Sequence, residues 1–362
     1  MGVTIVLIIL IFIIPMGLIL ALPLLGVLFS GHNVLPYLVF PPKSVITSHA
    51  PFSGPVFIAI FLFVVVTVLP VFKKGLTYTG RTTPLTAGQL PWWGYGSFAG
   101  LACFWILAWT RFDWFSTYQA HTFFPIWFCW IVYVNALTFR SKHQCLLVNF
   151  PYKFIGLFII SAVFWWMFEY LNRFVGNWYY SGSQYSAGKY FFLATLSFST
   201  VLPAVESMKE YLLTFDRFKN GFKNMPGIKR LNSRHGALFL LILSSVLLLF
   251  IGVFPDPLFF LVWICPFFIF LGCWILFDPP HILEGVKKGD YTMVAAYATA
   301  ALICGFFWEM FNFYSLARWQ YTIPYVQVFH LFEMPVLGYA GYLPFGLECA
   351  VIIDLVMKHS RK

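Results

Sequence analysis

The chain has 362 residues, of which 60% are hydrophobic and only 10% charged, with a mean hydropathy of +0.80 and a formal charge of +10. A soluble domain carries about 25% charged residues, so this much apolar surface requires lipid as its main solvent. Composition therefore excludes an ordinary soluble enzyme, and the placement of the basic residues, given below, excludes nucleic acid as a partner.

A bilayer core of about 30 Å takes roughly 20 apolar residues per helix. On that basis the chain is predicted to be all-α, a polytopic transmembrane helical bundle of about ten spans. They fall near 3–29, 56–72, 94–110, 122–139, 154–172, 190–215, 237–254, 258–277, 292–312 and 331–356. The first follows Met1-Gly2-Val3-Thr4 directly, without a basic region or a small-residue cleavage site, and reads as a retained span rather than a signal peptide. Pro15 and Pro23 interrupt it. The Pro- and Gly-rich region 31–55 reads as irregular or re-entrant, and spans seven and eight are joined only by Pro255-Asp256-Pro257.

The sizeable polar stretch 216–236 is a basic linker between an N-terminal membrane half, 1–215, and a C-terminal half, 237–362. Lysine and arginine concentrate in alternate loops. One side holds Lys73, Lys74, Arg81, Arg140, Lys142, Lys153, the basic residues of the linker, Lys287, Lys288 and the C-terminal Lys358, Arg361 and Lys362. The other holds Lys43, Arg111, Arg173, Lys189 and Arg318. Positive loops stay cytoplasmic, so a multi-pass protein of the cell membrane with both termini in the cytoplasm is expected. The seven cysteines are scattered without a Cys-x-x-Cys pair, and no metal or other cofactor is implied.

Against this apolar background one pattern occurs twice. Trp166-Met167-Phe168-Glu169-Tyr170-Leu171-Asn172 is followed by Trp178-Tyr179-Tyr180 and then by Leu202-Pro203 and Glu206. Phe307-Trp308-Glu309-Met310-Phe311-Asn312 is followed by Trp319-Gln320-Tyr321 and then by Leu343-Pro344 and Glu348. In both copies the tryptophan of the Trp-x-Tyr triplet lies 25 positions before the proline. The copies, 154–215 and 292–356, run in the same direction, which predicts an internal parallel repeat about an axis along the membrane normal. Residues three apart share a helix face, so each copy sets a carboxyl beside an amide. Ionisable groups at membrane depth mark function by default, and a proline in each return span is expected to kink it.

A carboxyl in apolar surroundings favours its protonated form, and aromatic faces stabilise cations without attacking them. Together these fit acid-catalysed chemistry on an isoprenoid. The order Glu-x-x-Asn, Trp-x-Tyr, then Pro and Glu one helix later resembles the membrane-embedded carotenoid enzymes, the heterodimer-type lycopene cyclases and the bacterioruberin-precursor hydratases. Asn177 and Arg318 stand immediately before the two tryptophans, and the paired Glu-Glu of the cyclases is absent. The resemblance implies Glu169, Glu309, Glu206 and Glu348 as catalytic acids and Trp178, Trp319, Tyr180 and Tyr321 as walls of the cavity. Asn172, Asn312, Trp166 and Trp308 join them as substrate-binding candidates. A lipid or isoprenoid ligand, the membrane itself and a homo- or hetero-oligomer are the expected partners. The same residues also suit a proton- or cation-coupled transporter, or a structural membrane subunit.

Overall fold

The structure, a computed structural model, describes residues 6, 9–42, 45–80, 88–182, 184–230, 233–277 and 280–359. The start of the first expected span, with Lys43, Arg81, Arg361 and Lys362, lies outside them. Among the described residues eight helices are long and apolar enough to cross a membrane, which makes the protein membrane-embedded. A ninth span results if the helical pieces Pro255–Trp263 and Cys265–Phe277, bent by 47° at their junction, count as one.

The main elements in chain order are α1 (Ile14–Phe29), α2 (Gly54–Leu76), α3 (Trp92–Trp109), α4 (Phe123–Lys142) and α5 (Pro151–Val175). Strand β1 (Trp178–Ser181) leads to α6 (Ala187–Phe198) and α7 (Val201–Leu212). After the linker come α8 (Arg234–Ile251), α9 (Cys265–Phe277), α10 (Thr292–Phe313), strand β2 (Arg318–Tyr321) and α11 (Tyr342–His359). The third expected span, α3, is fully helical and packs along α4, but its Trp, Tyr and Gly residues contribute too little hydropathy for it to qualify on composition. Among the described residues of region 31–55, the short helix Leu35–Leu38 is followed by irregular backbone up to Gly54, where α2 begins.

The central bundle is built from α5, α7, α10 and α11, with α3 and α4 on one flank and α1, α8 and α9 on the other. Helix α2 is different. Apart from Gly75 it has no buried residue. It is held at its ends, by the Ser53 N–H donating to the Tyr325 carbonyl at 3.0 Å and by Gly75 against the Phe222 ring. A helix apolar on all sides and unburied is suited to lipid.

The prolines act differently from the expected kink. Pro203 and Pro344 each occupy the third residue of a helix, α7 and α11. There the backbone N–H has no intrahelical acceptor in any case, so proline is tolerated. The return span is consequently two pieces. In the first copy α6 and α7 meet at Ser199–Thr200, and Ser161 of α5 bridges the break, donating to the Phe198 carbonyl at 2.6 Å and accepting from the Leu202 N–H at 3.0 Å. In the second copy a 3-10 turn, Val336–Gly341, precedes α11. Gly346 lets α11 lie against α10, since a Cβ there would come within 2.4 Å of the Tyr297 carbonyl.

Candidate functional site

Helix α5 ends at Gly176, whose φ of +57° turns the chain back on itself and whose N–H donates to the Asn172 carbonyl at 2.7 Å. A left-handed residue at this position suits glycine. The side chain of Asn172 then takes hold of the strand that follows. Its amide donates to the Trp178 carbonyl at 2.7 Å and its Oδ1 accepts from the Trp178 N–H at 3.3 Å. Asn312 repeats the clamp on Trp319, at 2.8 and 2.9 Å. Each asparagine thereby fixes the start of its own Trp-x-Tyr segment.

The two triplets, which fall between the expected spans, are strands that pair with each other. β1 and β2 run antiparallel with Trp178 opposite Tyr321 and Tyr180 opposite Trp319. Trp and Tyr favour strands, a signal present in the sequence but outweighed by the surrounding apolar helices. The pairing brings both copies of the pattern to one end of the bundle, called here the hairpin end.

There each carboxyl is wrapped by aromatic donors. Glu169 Oε1 accepts from Tyr180 Oη at 2.6 Å and from the indoles of Trp178 and Trp165, both at 3.1 Å. Glu309 Oε1 accepts from Tyr321 Oη at 2.7 Å, from Tyr342 Oη at 2.8 Å and from the Trp319 indole at 3.4 Å. Glu309 is fully buried, and its second oxygen has no hydrogen-bond partner. Tyr342 went unassigned in the sequence because it lies outside the repeated pattern, whereas Trp165, four residues before Glu169, shares its helix face on spacing alone.

The other two acids have unlike surroundings. Glu206 Oε1 accepts from Lys209 at 2.9 Å and Oε2 from the Tyr297 hydroxyl at 2.7 Å. Lys209 also binds Glu210 at 2.8 Å, and Glu210 binds Lys142 at 2.6 Å. Glu348 is completely buried with neither carboxyl oxygen paired. The spacing Glu206-x-x-Lys209-Glu210 places these charges within one helical turn, a local signal that identifies the ion pair from sequence.

A cavity of about 1230 Å³ lies between α2 and the bundle. One stripe of α2, from Ala59 through Val64 and Val68 to Leu76, forms its outer wall, a length of about 25 Å at ~1.5 Å per residue. Trp178, Tyr180, Trp319, Tyr321 and Trp308 line its hairpin end, while Phe218 and Phe222 line the end near the basic linker. Between them the wall is almost wholly apolar. Glu169 and Glu309 stand behind it, with Tyr180 and Tyr321 between carboxyl and cavity. Trp166 lies away from the lining, donating to Thr195 Oγ1 at 3.0 Å and stacking on Phe191. Comparison with protein-family models, with curated proteins and with solved structures returns no match to this chain.

Proposed function

We propose that this is an integral protein of the cell membrane that takes a long isoprenoid or other lipid chain from the bilayer into the slot behind α2. The tyrosine–glutamate pairs at the hairpin end then act on it by acid–base chemistry. The observation that carries this reading is the position of Tyr180 and Tyr321, each lining an apolar cavity and each hydrogen-bonded to a buried carboxyl. Ligand pockets are typically apolar with a few well-placed polar groups, and this cavity has that character along the depth of a membrane.

In the chemistry the protonated Glu309 and Tyr321 form a two-membered relay. The hydrogen bond seen at rest reverses: the carboxyl passes its proton to the Tyr321 oxygen as the phenol's own proton passes to a double bond of the chain. The carbocation faces the rings of Trp308 and Trp319. Loss of a neighbouring C–H proton back through the phenol to the Glu309 carboxylate leaves a rearranged double bond and restores the acid. Cation–π attraction of about 2 kcal/mol or more is available in such a dry setting. The two hairpins are read as a parallel repeat, and the basic linker end as cytoplasmic. The resemblance to carotenoid enzymes agrees with this chemistry.

One observation favours a second reading. In the first copy the bonded carboxyl oxygen, Glu169 Oε1, is filled by three donors and Asn172 by the backbone, as in a structural lock. A non-catalytic membrane subunit would need no more. Organic extraction of the purified protein separates the two. The lipid reading expects an isoprenoid or related chain to co-extract, and its chemical form to change in Glu309→Gln. A lipid pool identical to bulk membrane in both proteins would favour the structural subunit.

A further inference from the structure

An apolar slot of this kind would serve a pure hydrocarbon and an amphiphile equally well, and the polar atoms at its mouth decide between them. At the hairpin end the lining includes His121 and Tyr185, whose rings are stacked at 5.9 Å. His121 Nδ1 and Tyr185 Oη are both sealed from solvent and neither has a hydrogen-bond partner. Leaving buried polar atoms unpaired is costly, so their persistence calls for a partner. Lys189 places its ammonium 5.1 Å from the centre of the Tyr185 ring, on the first turn of α6. Burial first, and the Lys189 charge second, lower the affinity of His121 for a proton. Phe123, two residues beyond His121, meets Trp319 edge-on at 5.6 Å, so this group adjoins the Tyr321–Glu309 pair.

An imidazole and a phenol in the lining, with an ammonium over the phenol ring just outside it, supply donors and positive charge. The group that matches them is an acceptor-rich anion. Arg318, also in the lining, already has Glu333 at 3.7 Å and donates to the Phe313 carbonyl. At the opposite end of the slot Arg217 is exposed.

Resting on the reading that the slot holds a long apolar chain, we propose that His121, Tyr185 and Lys189 bind the anionic phosphate head of that chain. The ligand is then a single-chain amphiphile, lying along α2 with its head at the hairpin end. A neutral hydrocarbon is the disfavoured class.

The test is binding of a long-chain polyprenyl monophosphate and of the matching alcohol to the full-length protein in detergent, read by tryptophan quenching, with an n-alkyl monophosphate as a third probe. The phosphate is expected to bind on the order of tenfold more tightly than the alcohol, the worth of one charge-assisted hydrogen bond. Tyr185→Phe combined with Lys189→Gln should erase that advantage and leave alcohol binding unchanged. The n-alkyl probe shows whether the chain must be isoprenoid. Equal affinity for phosphate and alcohol overturns the headgroup site while sparing the apolar slot. An advantage lost in Arg217→Ala but kept in the double variant also overturns it, by placing the head at the other end. Absence of binding by all three probes overturns both the slot and the headgroup site.

Discussion

A Lys209→Met substitution is expected to destabilise the purified protein by about 3–5 kcal/mol, the usual cost of stripping a buried carboxylate of its cation. Lys209 and Glu206 are the most deeply buried ion pair among the described residues, with side chains 6% and 5% exposed. Methionine keeps the length and the apolar stem but leaves Glu206 Oε1 without its donor. Adding Glu206→Gln should recover most of the loss, because the charge that needed a partner is gone. Thermal unfolding of the three proteins in detergent measures this directly. A double variant no more stable than Lys209→Met would contradict an account in which the lysine is there to neutralise Glu206.

At Glu309 the two obvious substitutions should separate structure from chemistry. Glu309→Leu leaves the hydroxyls of Tyr321 and Tyr342 without an acceptor, a penalty of about 1–3 kcal/mol for each. Trp319 keeps a bond to the Tyr321 oxygen at 2.9 Å and is less affected. Glu309→Gln preserves an acceptor oxygen and is expected to cost no more than about 1 kcal/mol, since a protonated carboxyl and an amide oxygen both accept neutral hydrogen bonds. Both variants lose the proton source and should leave a bound lipid chemically unaltered. A Gln variant that still converts the lipid would remove Glu309 from the chemistry.

Much of the fold was legible because hydropathy reports directly on the lipid solvent. Nearly every expected span is a helix, and the site residues recur at nearly matched spacing, with an asparagine in each pattern holding the tryptophan that follows. Asn172 and Asn312 illustrate what spacing alone leaves out. Three residues after a glutamate, an asparagine reads as a partner of that glutamate, whereas each one clamps the backbone of the tryptophan that follows. Proline positions misled for a related reason, since whether a proline kinks a helix or starts one depends on where the preceding segment ends. Glu206 and Glu348 look equivalent after Pro203 and Pro344, yet one meets a lysine and the other meets none. The slot was invisible in the sequence. It exists because α2 stands away from the bundle, which is a tertiary property of a helix equally apolar on both faces.

The measurement that bears most directly on the slot is native mass spectrometry of the wild-type protein beside Ala298→Trp. Ala298 lines the cavity from α10 and is only half-buried, so an indole there fills the slot without entering the packed core. The wild type should retain one tightly held chain-bearing lipid per protomer, and the Ala298→Trp protein, still folded by its unfolding temperature, should retain none. Equal lipid retention by both proteins would contradict the account.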